Sequence, residues 1–150
     1  LIGQMSGHAG KGEAAARNYS ARLAALRVRP GQKPPVGVFY QIWDRPLMTV
    51  GGTHWISDAL ALCGARNVFA DLQALSPVVS REAVLQRAPA LIVSGTDAPD
   101  MRRVWQRFTR LPAVRNQAFV RVDADRLHRL TPRLIEGVAE LCAAVEPYVR

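Results

Sequence analysis

Apolar residues recur in two rhythms along this chain, and the alternation between them sets the expected architecture. Val36, Val38, Phe39 and Tyr40 form a β-rich run behind the Pro34-Pro35 break, which predicts a buried strand. An irregular segment holding Trp43, Asp44, Arg45 and Pro46 follows, then Gly51-Gly52, whose backbone freedom allows a sharp turn into a helix. From Trp55 to Cys63 the period lengthens: Ile56, Ala59, Leu60 and Cys63 fall at helical spacing, and Gly64 stands where a left-handed cap belongs. Arg66 to Pro77 reads as a loop with a short turn at Asn67-Val68-Phe69. Ser80 is an N-cap residue, and Glu82 falls in the first helical turn, where a carboxylate meets the positive end of the helix dipole.

The second half repeats the alternation. Ala90 to Ser94 is a short continuous apolar run of the kind that fills a central parallel strand, and Gly95 to Asp100 is the loop at its end. Met101 to Leu111 predicts a helix with Val104, Trp105, Phe108 and Leu111 facing inward, and Ala118 to Val122 a further strand. Thr131-Pro132 opens a last helix as N-cap and first residue, and Pro147 closes it. With strands and helices alternating and no hairpin signal, the pattern predicts an α/β fold: one Rossmann-like unit with a mainly parallel sheet flanked by helices. Residues 1–34 stand apart. Four glycines precede an Ala-rich helical segment whose apolar stripe (Tyr19, Leu23, Leu26) is too thin for full burial, and Pro30, Gly31, Pro34 and Pro35 then break it.

Composition adds limits more than content. A chain of 150 residues, 49% hydrophobic and 21% charged, has the makings of one domain with a real core. No run approaches the ~18 apolar residues of a membrane-spanning helix. The chain opens at Leu1 without a signal peptide, as expected of a processed or truncated polypeptide. Its net charge of +8 comes mostly from arginine, concentrated between Met101 and Arg133 where only Asp123 and Asp125 oppose it. Such a patch is a solvated surface or a steering field for an anionic partner. Nucleic acid is not expected, because no recognised binding module is present and aromatics do not interleave with the arginines.

Catalytic and metal patterns are missing. His8, His54 and His128 lack metal-site spacing, no G-x-S-x-G occurs, and Gly10-Lys11-Gly12 has neither the spacing nor the Ser/Thr of a phosphate loop. Asp123 and Asp125 suggest paired carboxylates, but alternate residues at a strand end point to opposite sides. Cys63 and Cys142 each fall on a core face of a helix, which buried thiols explain as well as a bond does.

An ordered set of segments carries a resemblance. VFYQ, the Gly-Gly before a helix, LALCGARNVFAD, SPVVSREAVL with APALIV, and TPRLIEGVAELC cover roughly residues 36 to 145. In order and spacing they resemble the C-terminal lobe of the cluster-type periplasmic binding proteins for cobalamin, siderophores and haem, the cobalamin binders most of all. The resemblance implies that residues 1–34 are the C-terminal part of a long inter-lobe helix and its linker, that 35–150 form the C-terminal lobe, and that an N-terminal lobe is missing. It implies a periplasmic receptor, not an enzyme, that hands a bulky chelate to an ABC importer permease. The chelate is cobalamin first, with a ferric siderophore or haem as the alternative, and no cofactor is needed. A small α/β nucleotide-binding domain or enzyme is the alternative of another class.

The resemblance also assigns residues. Tyr40 and Trp43 lie where an exposed phenol and indole would wall a ligand cleft, Tyr40 having a core position as its alternative. Asp125 and Arg129 match positions that bond the ligand's polar edge; a local ion pair is the competing reading. Glu82 matches a permease-docking glutamate. Cys63 and Cys142 match cysteines that are joined in the cobalamin binders, a bond that would close a loop of about 80 residues and require an oxidising compartment. Ile42 and Ser76 stand where those binders carry aromatics, a departure that bears on which chelate is carried.

Overall fold

A computed structural model describes residues 9–26, 34–95, 100–128 and 133–149. The strand expected at Val36 becomes the backbone of the sheet. β1 (Val36–Asp44) lies between β4 (Leu91–Gly95), parallel to it, and a shared outer edge. That edge is taken by β3 (Ala65–Asn67), parallel to the start of β1, and by β2 (Leu47–Thr49), antiparallel to its end. β5 (Phe119–Val122) continues the sheet beside β4, again in parallel. The strand order β2-β1-β4-β5 is therefore mainly parallel, as the alternating pattern predicted.

Helices cover both faces. α1 (Ala9–Leu26), α2 (Trp55–Leu62), α6 (Ala124–His128) and α7 (Leu134–Val149) are assigned to one side by their core residues: Leu23, Leu26, Ile56, Leu60, Leu127, Leu141 and Val145 pack with Val38, Tyr40 and Val93. α3 (Arg81–Arg87), α4 (Met101–Trp105) and α5 (Pro112–Arg115) cover the other, where Val84, Met101, Trp105 and Val114 pack with Phe39 and Ile92. Consecutive residues of β1 and β4 thus feed opposite cores, which is why both strands are nearly all apolar.

Local signals account for most boundaries. Gly64 adopts φ 78° directly after Cys63 caps α2, and the Ser80 hydroxyl accepts from the Ala83 N–H at the start of α3. Four expectations are corrected. Trp43 to Pro46 is no irregular loop: β1 runs on to Asp44 and turns into β2 through a hairpin across a cis Arg45–Pro46 peptide. A two-residue turn without Asn-Gly or Asp-Gly gives no hairpin signal in sequence. Residues 65–67 form β3, held by the buried Asn67, whose amide donates to Val50 O and Ser57 Oγ while its carbonyl accepts from Phe69 N–H. The helix at Met101 stops at Trp105; successive turns then carry Phe108 and Leu111 to the core. Pro147 sits inside the last turn of α7 instead of closing it. The Thr131-Pro132 cap lies outside the described residues.

Candidate functional site

Parallel β1, β4 and β5 all end on one edge of the sheet, and the chemistry-bearing side chains gather there. β1 delivers Trp43, which is 55% exposed, its indole N–H donating to Arg45 O at 3.0 Å. The hairpin register sets which way each residue turns. Asp44 and Leu47 are paired and face α3, where Asp44 meets Arg81 at 3.7 Å and Leu47 joins the core. Trp43 and its partner Met48 therefore turn to the opposite face, the one covered by α6. A register shift between Gln41 and Trp43 produces this orientation; Gln41 instead accepts from the Trp105 indole in the α4-side core.

Beyond β2, Met48 bridges Val78, which is 63% exposed. The segment carrying Val78 is pinned by backbone bonds to the glycine turn: Gly51 N–H donates to Leu75 O and Gly52 N–H to Leu72 O, both at 2.9 Å. A Cβ on either glycine would collide with a carbonyl of that segment, Ala74 O or Ala70 O. Close approach, not a left-handed conformation, is what requires glycine here.

After β5, Asp123 caps α6: its Oδ1 accepts from the N–H groups of Asp125 and Arg126, and its carboxylate pairs with Arg126 at 3.1 Å. Asp123 thus has a structural role as the cap of α6. Asp125 is exposed in the first turn of α6. Arg129 lies outside the described residues. Tyr40 is fully buried and cannot present a phenol to a ligand, so the expected exposed wall is corrected to a core position. Its hydroxyl shares a 2.9 Å hydrogen bond with Nε2 of His128 at the end of α6, ring against ring. Tyr40 therefore fixes α6 from behind, a link between positions 88 apart that no local pattern reveals.

His54, whose Nδ1 accepts from the Ile56 N–H, caps α2 close to the same edge. Burial first, and the charge of His128 second, hold its imidazole below the ordinary histidine range. The cap itself needs an unprotonated Nδ1.

On the α3 side a shallow groove of about 510 Å³ runs between the hairpin and the α3 N-terminus, lined by Asp44, Arg45, Leu47, Arg81 and Glu82 among others. Glu82 is exposed there in the first turn of α3. Further along that helix Arg87 forks onto both Asp71 oxygens and also donates to Val68 O, which draws the Asp71 carboxyl below its usual range. Cys63 and Cys142 form a disulfide with Cα atoms 4.7 Å apart, joining α2 to α7. Among the described residues no group of three or more His, Cys, Asp and Glu side chains is placed to hold a metal ion, and no helix is long and apolar enough to cross a membrane.

Comparison with known proteins gives a consistent picture. Residues 1–125 match the family described as periplasmic binding protein. A vitamin B12-binding protein of Vibrio parahaemolyticus is 33% identical over 150 residues, 99% of this chain and 54% of the relative. The vitamin B12-binding protein of Vibrio cholerae is 37% identical over 134 residues, 87% of this chain and 48% of its own length. The solved structure of the periplasmic vitamin B12 binding protein BtuF of Vibrio cholerae superimposes with a TM-score of 0.76 at 34% identity, over 91% of this chain and 54% of that one. The chain spans about half the length of the curated relatives it matches.

Proposed function

This chain belongs to the periplasmic binding protein family, and on that premise we propose that it is the C-terminal lobe of a receptor that carries cobalamin to an ABC importer. In this reading residues 35–150 supply one wall of a two-walled cleft, residues 1–34 are the end of the inter-lobe helix and its linker, and a partner lobe supplies the other wall. The observation that carries it is the edge where β1, β4 and β5 all end, with an exposed Trp43 at the end of β1 and an exposed Asp125 in the first turn of the helix that follows β5. A flat apolar surface beside a carboxylate suits a large ring with polar groups on its rim. The relatives that are at least 30% identical over most of this chain are named for vitamin B12, which favours cobalamin over other chelates.

The mechanism is capture and hand-over, with no bond made or broken. Trp43 offers the ring face, Asp125 and Arg129 the polar contacts, and Tyr40 and His128 hold the helix that presents Asp125. Glu82, exposed on the hairpin side, would orient the loaded receptor on an arginine of the permease. The disulfide is compatible with the oxidising periplasm. Ile42 and Ser76 lack the aromatics expected of a cobalamin binder, which keeps a ferric siderophore or haem as the second reading. Titrating the full-length protein that contains this chain with cyanocobalamin, haem and a ferric siderophore separates the two. Saturable submicromolar binding of cyanocobalamin alone is expected, and binding of haem or siderophore in its place would overturn the assignment.

A further inference from the structure

We propose that the outer surface of α4, α5 and β5 is a docking face for anionic phospholipid headgroups, which holds the protein against the membrane in which its permease stands. The proposal goes beyond ligand capture and does not depend on which chelate is carried; only the place given to the permease rests on the receptor reading. Residues 101–122 hold six arginines (Arg102, Arg103, Arg107, Arg110, Arg115 and Arg121) and no Asp or Glu, so they supply most of the net charge of +8. All six are exposed.

Register and packing gather these residues on one layer. Phe119 pairs with Ile92 and Arg121 with Ser94. Ile92 and Phe119 belong to the core under α4 and α5, so Arg121, two residues on, turns the same way. Arg102 lies 5.5 Å over the Phe119 ring, and Arg107 lies 4.9 Å over that of Phe108, which packs on the same core. Aromatic rings thus hold two guanidinium groups in place while both residues stay exposed. Asp100, 4.0 Å from Arg103, stands at the margin.

The neighbours of the arginines select the occupant. The other exposed residues of the segment are polar and uncharged: Gln106, Thr109, Asn116 and Gln117. The exposed large apolar side chains Trp43, Leu75, Val78 and Tyr148 all lie outside it. A protein interface is anchored by large side chains at its centre, and a single-stranded nucleic acid by aromatics that stack on its bases. This surface offers neither. A layer of headgroup phosphates asks only for a broad field of cations without carboxylates, each worth about a factor of five in affinity. α3, which presents Glu82, covers the same face of the sheet, so lipid contact and permease docking would fall to one helical layer.

The test is sedimentation of the full-length protein with vesicles of phosphatidylcholine alone or with about 30% phosphatidylglycerol. Binding is expected to the anionic vesicles only, and to weaken about tenfold as salt rises from about 0.05 to 0.3 M. Arg102→Gln/Arg107→Gln should weaken it about 30-fold. Arg17→Gln/Arg22→Gln removes the same charge from α1, on the other face of the sheet, and should leave affinity within about twofold. Arg102→Lys/Arg107→Lys keeps both charges and should bind as the unsubstituted protein does. Equal binding to both vesicle types, unchanged affinity in Arg102→Gln/Arg107→Gln, or an equal loss in the α1 pair would overturn the proposal. An equal loss in the lysine pair would overturn it too, by tracing the effect to packing on the rings instead of charge. Weaker capture of the glutamine pair by detergent-purified permease, with vesicle binding unchanged, would overturn it in favour of an acidic protein partner. Cyanocobalamin affinity should be the same in all these variants, and failure of the unsubstituted protein to bind it would overturn the receptor reading alone.

Discussion

Reducing the Cys63–Cys142 disulfide should cost this chain a large part of its stability. The bond joins residues 79 apart in sequence, so in the unfolded chain it closes a loop that holds β3, β4 and β5. For a closed loop of that size the chain-entropy relation gives a loss of about 15 cal/mol/K, or about 4.5 kcal/mol at 25 °C. Set against a typical stability of about 5–15 kcal/mol, that is about 30% of the total or more. At about 2–4 °C per kcal/mol for a domain of this size, the midpoint of thermal unfolding should fall by about 9–18 °C. Both sulfurs lie in the core between α2 and α7, so reduction leaves two buried thiols that remain well packed, and the crosslink is the main thing removed. The assay is circular dichroism melting with and without a phosphine reductant, with Cys63→Ala/Cys142→Ala as a second route to the open chain. A midpoint shift below about 3 °C by both routes would refute the loop argument for this fold.

Other consequences follow from the same contacts. Asn67→Ala should cost about 3 kcal/mol in urea unfolding, since it strands Val50 O and Phe69 N–H in the interior; a cost below 1 kcal/mol would show that β3 is held by something else. Gly52→Ala should destabilise by about 3 kcal/mol through the clash with Ala70 O, and a neutral outcome would mean that the 70–75 segment moves freely. His54 is held below its ordinary range in the folded chain, so the unfolded chain takes up its proton first as pH falls. Its contribution is complete above about pH 6.5 and is lost as pH drops from there through the folded value. Urea midpoints should therefore decline between pH 7 and 5, and His54→Asn, which keeps a capping oxygen, should flatten that decline; an unchanged slope would remove His54 as its source.

How far the sequence carried this picture depended on the range of each interaction. β1, β4, α2 and the Ser80 cap rest on periodicity and capping within a few residues, and they appear where the pattern puts them. The hairpin did not, because Arg45-Pro46 carries none of the usual turn residues and its pairing is visible only once Asp44 and Leu47 face α3 together. β3 is three residues long, too short for any period, and depends on one buried amide. Trp43 was legible as an exposed indole because Asp44 and Arg45 flank it, whereas burial of Tyr40 required a partner 88 positions away. Met48 and Val78 look like ordinary apolar residues until the bridge between them is drawn. The cysteine pairing came from family resemblance, not from spacing.

The central claim is that this chain forms one wall of a cleft that needs two. Calorimetric titration of cyanocobalamin into the 150-residue chain, alongside the full-length protein that contains it, tests that claim most directly. The account predicts tight saturable binding by the full-length protein and only weak binding, above the micromolar range, by the chain alone, because a pocket that buries most of its ligand needs both sides. Micromolar or tighter binding by the isolated chain would contradict it.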